Sequence, residues 1–519
     1  MQSQSDSIVS LGYASYRGRH VASHIVYLGV PYAEPPLGPL RFRKPVPLDT
    51  QRLSRLSPTN VFDATQYPAF SVQGAIKGGG VDVGGAGSED SLKVDIYCSA
   101  AQLAPGSNLP VLVYIHGGGY KYGAPKNWPF DHWVERHPNI IAVSVYYRLS
   151  VLGFLAHPDF SGSDIADNNC GLYDQLEALR WIKTNISKFG GDPGKITICG
   201  QSAGGSAVEL LLAAFSGKNQ DLFHAAIPQS VYRTPVFKAE EKKPAFDELS
   251  KHLGCQSKDL AEQVAWLRSV NAVELMQAAD SITDKHKTML WEWKPVVDGD
   301  LILDYPSKLI VNKSFVDVPL LVGATTDESV GDPVSLQAVF ATQFPAVRQS
   351  DLRDAAELYG GEDGEPTKRA VGDVVFRAAG ALMAERFSTA WLYRFNEAVS
   401  PDGLVGHSAD NYLLYQGTQT GPNATVTFNK LTAPQQALSD ELMDYIVSFV
   451  RSGSPNTYKQ ERSPDWPSYS KSGELPRPRM VLGPSNGNVE GSACRLEGVP
   501  DDERDRYIFW LKKVEQTQN

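Results

Sequence analysis

Two runs of aliphatic and β-branched residues, Val111–Ile115 and Ile140–Val145, are continuous rather than alternating in polarity. Runs this short and this apolar predict central strands covered on both faces. A third run, Ile196–Cys199, leads into Gly200-Gln-Ser-Ala-Gly204, and an apolar, helix-permitting stretch (Val208, Leu210, Leu211, Leu212, Phe215) leaves it. Over Asp174 to Lys188, apolar residues at Leu172, Leu176, Leu179, Ile182 and Ile186 fall on one helical face, and Gly190 stops the helix,. The pattern then predicts a long helical middle over roughly 240–282, strands at Val318–Val322 and Trp391–Phe395, and a late helix. That last helix opens on a capping box, Thr432-Ala-Pro-Gln435, and turns Leu442, Ile446, Phe449 and Val450 inward,. Residues 8–45 read as short strands and turns. They end in Gly29–Phe42, whose prolines preclude helix and predict an ordered surface loop,. Gly78–Gly87 predicts a flexible loop and not a phosphate cradle, because no Gly-Lys-Ser/Thr follows it, and Gly194-Lys195 lacks the rest of that motif,. No internal repeat or linker divides the chain. Strands alternating with helices predict an α/β fold: a large, mostly parallel, doubly wound sheet with helices on both faces, in one domain over 1–519.

The candidate chemistry lies in the turn after Ile196–Cys199. Strand, tight turn and helix place Ser202 at the tip, in a strained conformation that needs small flanking residues. Its hydroxyl then projects beside a helix N-terminus, whose N–H groups can receive negative charge. The five-residue pattern alone is weak; the strand before it and the helix after it carry the prediction that Ser202 is a nucleophile. An alcohol needs a base to take its proton and an acid to orient that base. In a strand-turn-helix serine site the chain order is serine, acid, histidine. Asp327 and Glu328 both follow the strand Val318–Val322 and its turn Gly323-Ala-Thr-Thr, so either is a candidate acid. Of the ten histidines only His224, His252, His286 and His407 follow Ser202, and only His407 lies beyond that acidic pair. The oxyanion of a tetrahedral intermediate needs preorganised donors. His116-Gly-Gly-Gly-Tyr120 follows the strand Val111–Ile115, so Gly118, Gly119 and Ala203 are the expected N–H donors,.

Bulk properties narrow the partners. A formal charge of −10 leaves no basic excess to neutralise phosphates, which excludes a nucleic-acid partner,. No stretch approaches 18 uninterrupted apolar residues, so no membrane span is expected. The polar start Met1–Ser7 carries no apolar signal region, and five scattered cysteines without a Cys-x-x-Cys pair fit free thiols,. The expected location is therefore the cytoplasm, with secretion after removal of a leader as the alternative. Three sequons, at Asn185, Asn312 and Asn423, carry little weight without that leader.

Several segments together resemble the type-B carboxylesterase family, the α/β-hydrolases that include carboxylesterases and cholinesterases, and the chain looks like the fungal carboxylesterase type. They are Gly29–Phe42, Ser88-Glu-Asp90, His116–Tyr120, Tyr147–Phe154, Asn185–Pro193, Gly200–Gly205, Pro295–Gly299, Pro319–Glu328 and Trp466-Pro467. The resemblance implies an α/β-hydrolase fold, Glu328 rather than Asp327 as the acid, His407 as the base, and Ser230 behind the triad. Gln201 stands where the family has glutamate, Val231 where it has glycine, and Ser91 and Trp266 where it has bridging cysteines. The loop before Glu89 lacks the tryptophan that holds a quaternary ammonium in cholinesterases, so a choline ester is not expected.

The family also implies a gorge lined by aromatic residues, with Tyr120, Trp291, Trp293 and Tyr412 as candidates. A mostly apolar gorge favours neutral or hydrophobic small-molecule esters. The implied activity is ester hydrolysis through an acyl-enzyme, with no metal or organic cofactor, and no His-Glu-x-x-His pattern occurs. A transesterase or a lactone-forming or lactone-opening enzyme would use the same triad. A catalytically silent adhesion or scaffold relative would typically lack one of its members. Oligomeric state is not legible.

Overall fold

The computed structural model describes residues 7–519 apart from 57–60, 76–83, 105, 219–220, 330–334, 400–402, 417–418, 421–425, 428–429, 470–475 and 488. Its centre is an eleven-stranded sheet. In chain order the strands are β1 (Arg19–Val21), β2 (His24–Pro31), β3 (Lys93–Ser99), β4 (Leu109–Ile115), β5 (Ile141–Val145), β6 (Gly191–Gln201), β7 (Ala225–Gln229), β8 (Leu320–Thr325), β9 (Ala390–Phe395), β10 (Pro478–Leu482) and β11 (Cys494–Gly498). Across the sheet they lie in the order β11-β10-β9-β8-β7-β6-β4-β5-β3-β2-β1. The stretch from β10 to β5 is parallel throughout. Antiparallel strands flank it on both sides, β11 on one and β3, β2 and β1 on the other.

Successive strand residues point to opposite faces, so a strand covered on both sides must be apolar throughout. Val111, Val113 and Ile115 enter one buried cluster with Val143, Ile196 and Ile198. Leu112 and Tyr114 enter another, with Ala142, Cys199 and Ile227. Helices Cys170–Asn185 and Ala203–Ala213 pack into the first cluster, and Ala433–Ser452 into the second. This is the doubly wound arrangement expected from the sequence.

Element by element, the helix expected over Asp174 to Lys188 forms as Cys170–Asn185, tightens into a 3₁₀ turn at Ile186–Phe189 and ends on Gly190 at φ 88°. The helical middle is three helices, Ala239–His252, Leu260–Ser269 and Ala272–His286. Gly254, at φ 84°, closes the first, and the Asn271 side chain caps the third. The strand expected at Val318–Val322 runs instead over Leu320–Thr325, because Pro319 has no N–H to give to the ladder,. The Thr432/Gln435 capping box forms as expected. Within Gly29–Phe42 only a 3₁₀ turn, Gly38–Leu40, interrupts the extended chain, and Arg41 fixes the loop with a bidentate pair to Glu89. Positions 78–83 of the expected flexible glycine loop lie outside the described residues. Its remainder is paired, with Gly85 N–H donating to Gln73 O and Gln73 N–H to Ala86 O.

A buried ion pair fastens the chain under the future site. Arg148 donates to Asp174 through Nε (2.8 Å), Nη2 (2.6 Å) and its own backbone N–H (3.0 Å), and Asp174 is completely buried. The preceding residue, Tyr147, donates its hydroxyl to His116 O (2.8 Å) and stacks on the His116 ring. Replacing Arg148 with Met leaves an uncompensated buried carboxylate, a loss of about 3–5 kcal/mol. Differential scanning of Arg148→Met should therefore give an unfolding midpoint well below that of wild type.

Candidate active site

The parallel strands deliver their carboxyl ends to one edge of the sheet, and four chemistry-bearing segments leave from that edge. β4 runs into His116–Tyr120, β6 into Ser202, β8 into Glu328, and β9 into the loop that reaches His407. Ser202 opens the helix Ala203–Ala213 with φ 60° and ψ −124°. The sharp turn needs the following helix to approach β4 closely. A Cβ on Gly204 would stand 2.0 Å from Ile115 O, a backbone atom that cannot move aside. Main-chain bonds hold the turn: Ser202 N–H donates to Gln229 O (3.0 Å), and Ser202 O accepts from Ser206 N–H (2.9 Å) and Tyr232 N–H (3.3 Å).

His407 joins the other two groups. Its Nε2 lies 2.8 Å from Ser202 Oγ and its Nδ1 lies 2.6 Å from Glu328 Oε2. Of Asp327 and Glu328, it is Glu328 that reaches the ring. Burial works against the charge of Glu328. The His407 ring and the Thr325 N–H (3.1 Å to Oε1) outweigh it and hold the carboxyl below its ordinary range,. An ionised carboxylate only accepts, so Nδ1 carries the imidazole proton. Nε2 is then left as the acceptor facing the serine hydroxyl. Gln201 Nε2 approaches the same ring nitrogen at 3.4 Å.

The glycine turn lies directly against the serine turn, for a Cβ on Gly117 would sit 2.5 Å from Gln201 O and 3.0 Å from Ser202 Cβ. Gly118 has φ 110°, and a Cβ there would meet Tyr122 O at 2.1 Å. Among the described residues nothing accepts from the N–H groups of Gly118, Gly119 or Ala203. His116 is a support and not a base. Burial drives its pKa down to about 4, against the pull of its bond to Gly117 O (2.9 Å). Since a carbonyl cannot donate, its Nδ1 must carry the proton, which fixes the neutral tautomer.

The four aromatic residues expected to line a gorge have varied settings. Tyr120 is buried with its ring edge-on to Phe154 (5.1 Å). Trp293 is buried with Nε1 3.5 Å from Ala279 O, on the helix Ala272–His286. Trp291 is half-buried and stacked on His286 (3.6 Å), and Tyr412 is half-buried beside Trp128 (5.8 Å). Two rings not singled out by the chain's pattern pack at His407. Phe376 lies over the His407 ring at 4.3 Å, and Tyr232 packs on Phe376 at 5.7 Å. Phe376 belongs to a π-helical turn, Asp373–Arg377, a local irregularity often found at functional sites,. Among the described residues no group of His, Cys, Asp and Glu could hold a metal ion, and no helix is long and apolar enough to cross a membrane.

A second carboxyl near the triad behaves oppositely to Glu328. Burial and then the charge of Glu328 push Asp410 up to about 6, despite bonds from Asn411 N–H and Tyr393 Oη. Folded Asp410 thus keeps its proton between the ordinary 3.8 and about 6, where the unfolded chain has lost it. The linked stability is full below pH 3.8 and is lost as pH rises through about 6. Chemical denaturation from pH 4 to 7 should show this decline in wild type and a flatter profile in Asp410→Asn. The turn itself gives a sharper prediction. Gly204→Ala forces the helix start away from β4, and a shift of about 1 Å at a reacting atom can cost 10²-fold. Labelling of Ser202 by a fluorophosphonate should slow by about that factor, with a lowered unfolding midpoint.

Known proteins carry the same architecture. A model of the carboxylesterase family matches residues 5–353. Carboxylesterase 1F of Mus musculus is 28% identical across 99% of this chain and 95% of its own length. Liver carboxylesterase 1 of Oryctolagus cuniculus is 31% identical across 86% of this chain and 83% of its own. Among solved structures, Aspergillus niger EstA superposes with a TM-score of 0.86 at 26% identity, covering 99% of both chains. A thermophilic PNB esterase gives 0.80 at 26% identity, over 96% of this chain and 99% of its own. With a family match over more than half its length and an α/β-hydrolase architecture throughout, the chain belongs to the carboxylesterase family and is a carboxylic-ester hydrolase.

Proposed function

We propose that the protein hydrolyses neutral or hydrophobic small-molecule esters through an acyl-enzyme on Ser202, with His407 as base and Glu328 as its orienting acid. The observation that carries this reading is the relay from Ser202 Oγ to His407 Nε2 (2.8 Å) and from Nδ1 to Glu328 (2.6 Å). Ser202 Oγ attacks the ester carbonyl carbon while Nε2 takes its proton. The N–H groups of Gly118, Gly119 and Ala203 receive the oxyanion, each contributing about 3 kcal/mol to the transition state. Collapse breaks the bond to the alcohol, which leaves with the proton returned from His407. Water then attacks the acyl-enzyme by the same steps in reverse roles, releasing the acid and freeing Ser202.

The apolar preference is supported by the Phe376 and Tyr232 rings beside the triad. Gln201 and Ser230 act behind it: Gln201 approaches the imidazole, and the buried Ser230 ties the end of β7 to β8 through its N–H on Gly323 O (2.8 Å). Hydrogen-bonding distances among Ser202, His407 and Glu328 speak against a silent scaffold, which would typically lack one of the three groups. All five cysteines are unpaired thiols, which supports a reducing compartment as the working location.

A series of p-nitrophenyl esters from two to twelve acyl carbons tests the reading. Wild type should turn over with a chain-length optimum that sizes the acyl pocket. Ser202→Ala should lose at least ~10³-fold in kcat, and Ser202→Ala/His407→Ala little more, because the triad acts as a unit. A wild type inert on every ester would overturn general hydrolysis and point to a dedicated acceptor.

A further inference from the structure

Glu328 and His407 meet at 2.6 Å, yet neither belongs to a strand or helix. Glu328 lies in the turn after β8, and the described residues between the end of β9 and His407 form no strand or helix. Regular hydrogen bonding therefore leaves their separation open, although a short acid–base contact is spoiled by a fraction of an ångström. The contact that spans the two loops is made by the acid's neighbour. Asp327 Oδ2 accepts from Val405 N–H (2.9 Å), and Asp327 N–H donates to Val405 O (3.0 Å). Both main-chain polar groups of Val405 are thus taken by one residue 78 positions away in the chain. Val405 is two positions before His407, and its side chain is buried in the second core.

The acid side of this pair is itself braced. Thr326 donates its N–H to Phe395 O (3.0 Å), and its carbonyl accepts from the half-buried Arg377 guanidinium (2.6 Å). Thr326 is therefore tied to the end of the strand whose following loop carries the histidine. Asp327 thus stands on a braced turn and closes it onto the loop that carries the histidine.

We propose that Asp327 is a positioning residue: its two-way pair with Val405 sets the distance between Glu328 and His407. The proposal rests on the triad read above. Asp327 touches neither substrate nor imidazole, so its loss acts on kcat and spares KM. A second role for its charge must be separated from this one, because Asp327 also borders a cavity of about 410 Å³ lined in part by Arg369, Arg377 and Arg394. Asparagine removes the charge and keeps an oxygen acceptor for Val405 N–H. Glutamate keeps the charge and adds a methylene that pushes the loops apart.

The test is steady-state kinetics on a p-nitrophenyl ester for wild type, Asp327→Asn, Asp327→Glu, Asp327→Ala, Glu328→Ala and Asp327→Ala/Glu328→Ala. Asp327→Asn should stay within about 2-fold of wild-type kcat. Asp327→Ala and Asp327→Glu should each lose about 10- to 10²-fold in kcat with KM little changed, the scale of a misplaced catalytic group. In the Glu328→Ala background the further change Asp327→Ala should cost less than about 2-fold, because the contact it sets is already gone. Equal losses in both backgrounds, a wild-type kcat in Asp327→Ala, or an Asp327→Asn as poor as Asp327→Ala would each overturn the proposal. Where Asp327→Ala does not fold, Asp327→Glu and Asp327→Asn decide it, and wild-type kcat in both rejects it. A Glu328→Ala enzyme as fast as wild type would instead refute the triad reading.

Discussion

Ser202 holds φ 60° and ψ −124°, a backbone region that L-residues enter only under constraint, at a cost of order 1–3 kcal/mol. The surroundings over-determine it. Its N–H and O are bonded to main-chain groups on three sides, and the helix that follows is pressed against β4 through Gly204, where no Cβ fits. The same close approach has a second consequence. It brings the start of the helix, with its free Ala203 N–H, beside the glycine turn at Gly117–Gly119. One packing contact between a helix and a strand end thus fixes the serine tip and draws the Ala203 N–H to the glycine turn.

Electrostatics near the triad divide two buried carboxyls into different states. Glu328 is as buried as Asp410, yet it is held ionised by the imidazole N–H and a backbone N–H. Asp410 has one backbone and one phenol donor, and the negative charge of Glu328 bears on it, so its pKa rises to about 6. Near-equal burial with unequal donors decides which carboxyl stays charged. The charge that remains is the one that fixes the Nδ1–H tautomer of His407, and through it the free lone pair facing Ser202.

Much of this was legible in the chain. β4, β5 and β6 announce themselves because both faces are covered, which forces continuous apolar runs. Chain order singled out His407 as the candidate base, since no other histidine follows the acidic pair. β10 and β11 gave no such signal. Arg479 and Glu497 pair across them, and Arg495 also breaks the apolar pattern, as befits strands at an edge,. Phe376 was equally hidden, because it reaches His407 through a π-helical turn that shifts the face a regular helix would present. The choice between Asp327 and Glu328 was open from the residues themselves, since adjacent carboxyls cannot be ranked without knowing which faces inward. What sequence carries least is contact made by main-chain atoms between distant loops, such as Val405 with Asp327.

The triad's parts differ in how they are tethered. Ser202 sits one residue beyond β6, in the middle of a parallel sheet, and directly opens the helix Ala203–Ala213, so regular structure fixes it on both sides. Acid and base have longer leashes, three residues beyond β8 for Glu328 and twelve beyond β9 for His407. Each added residue multiplies the conformations available to the loop, so precision there must come from contacts outside the ladder. The chain supplies them as Thr326 braced by Phe395 and Arg377, Phe376 over the imidazole, and Asp327 closed on Val405. Those braces join β8, β9 and the π-helical turn, not the β4–β6 pair. The serine half of the site is therefore set by the sheet, and the proton-handling half by side chains that could change without altering the fold.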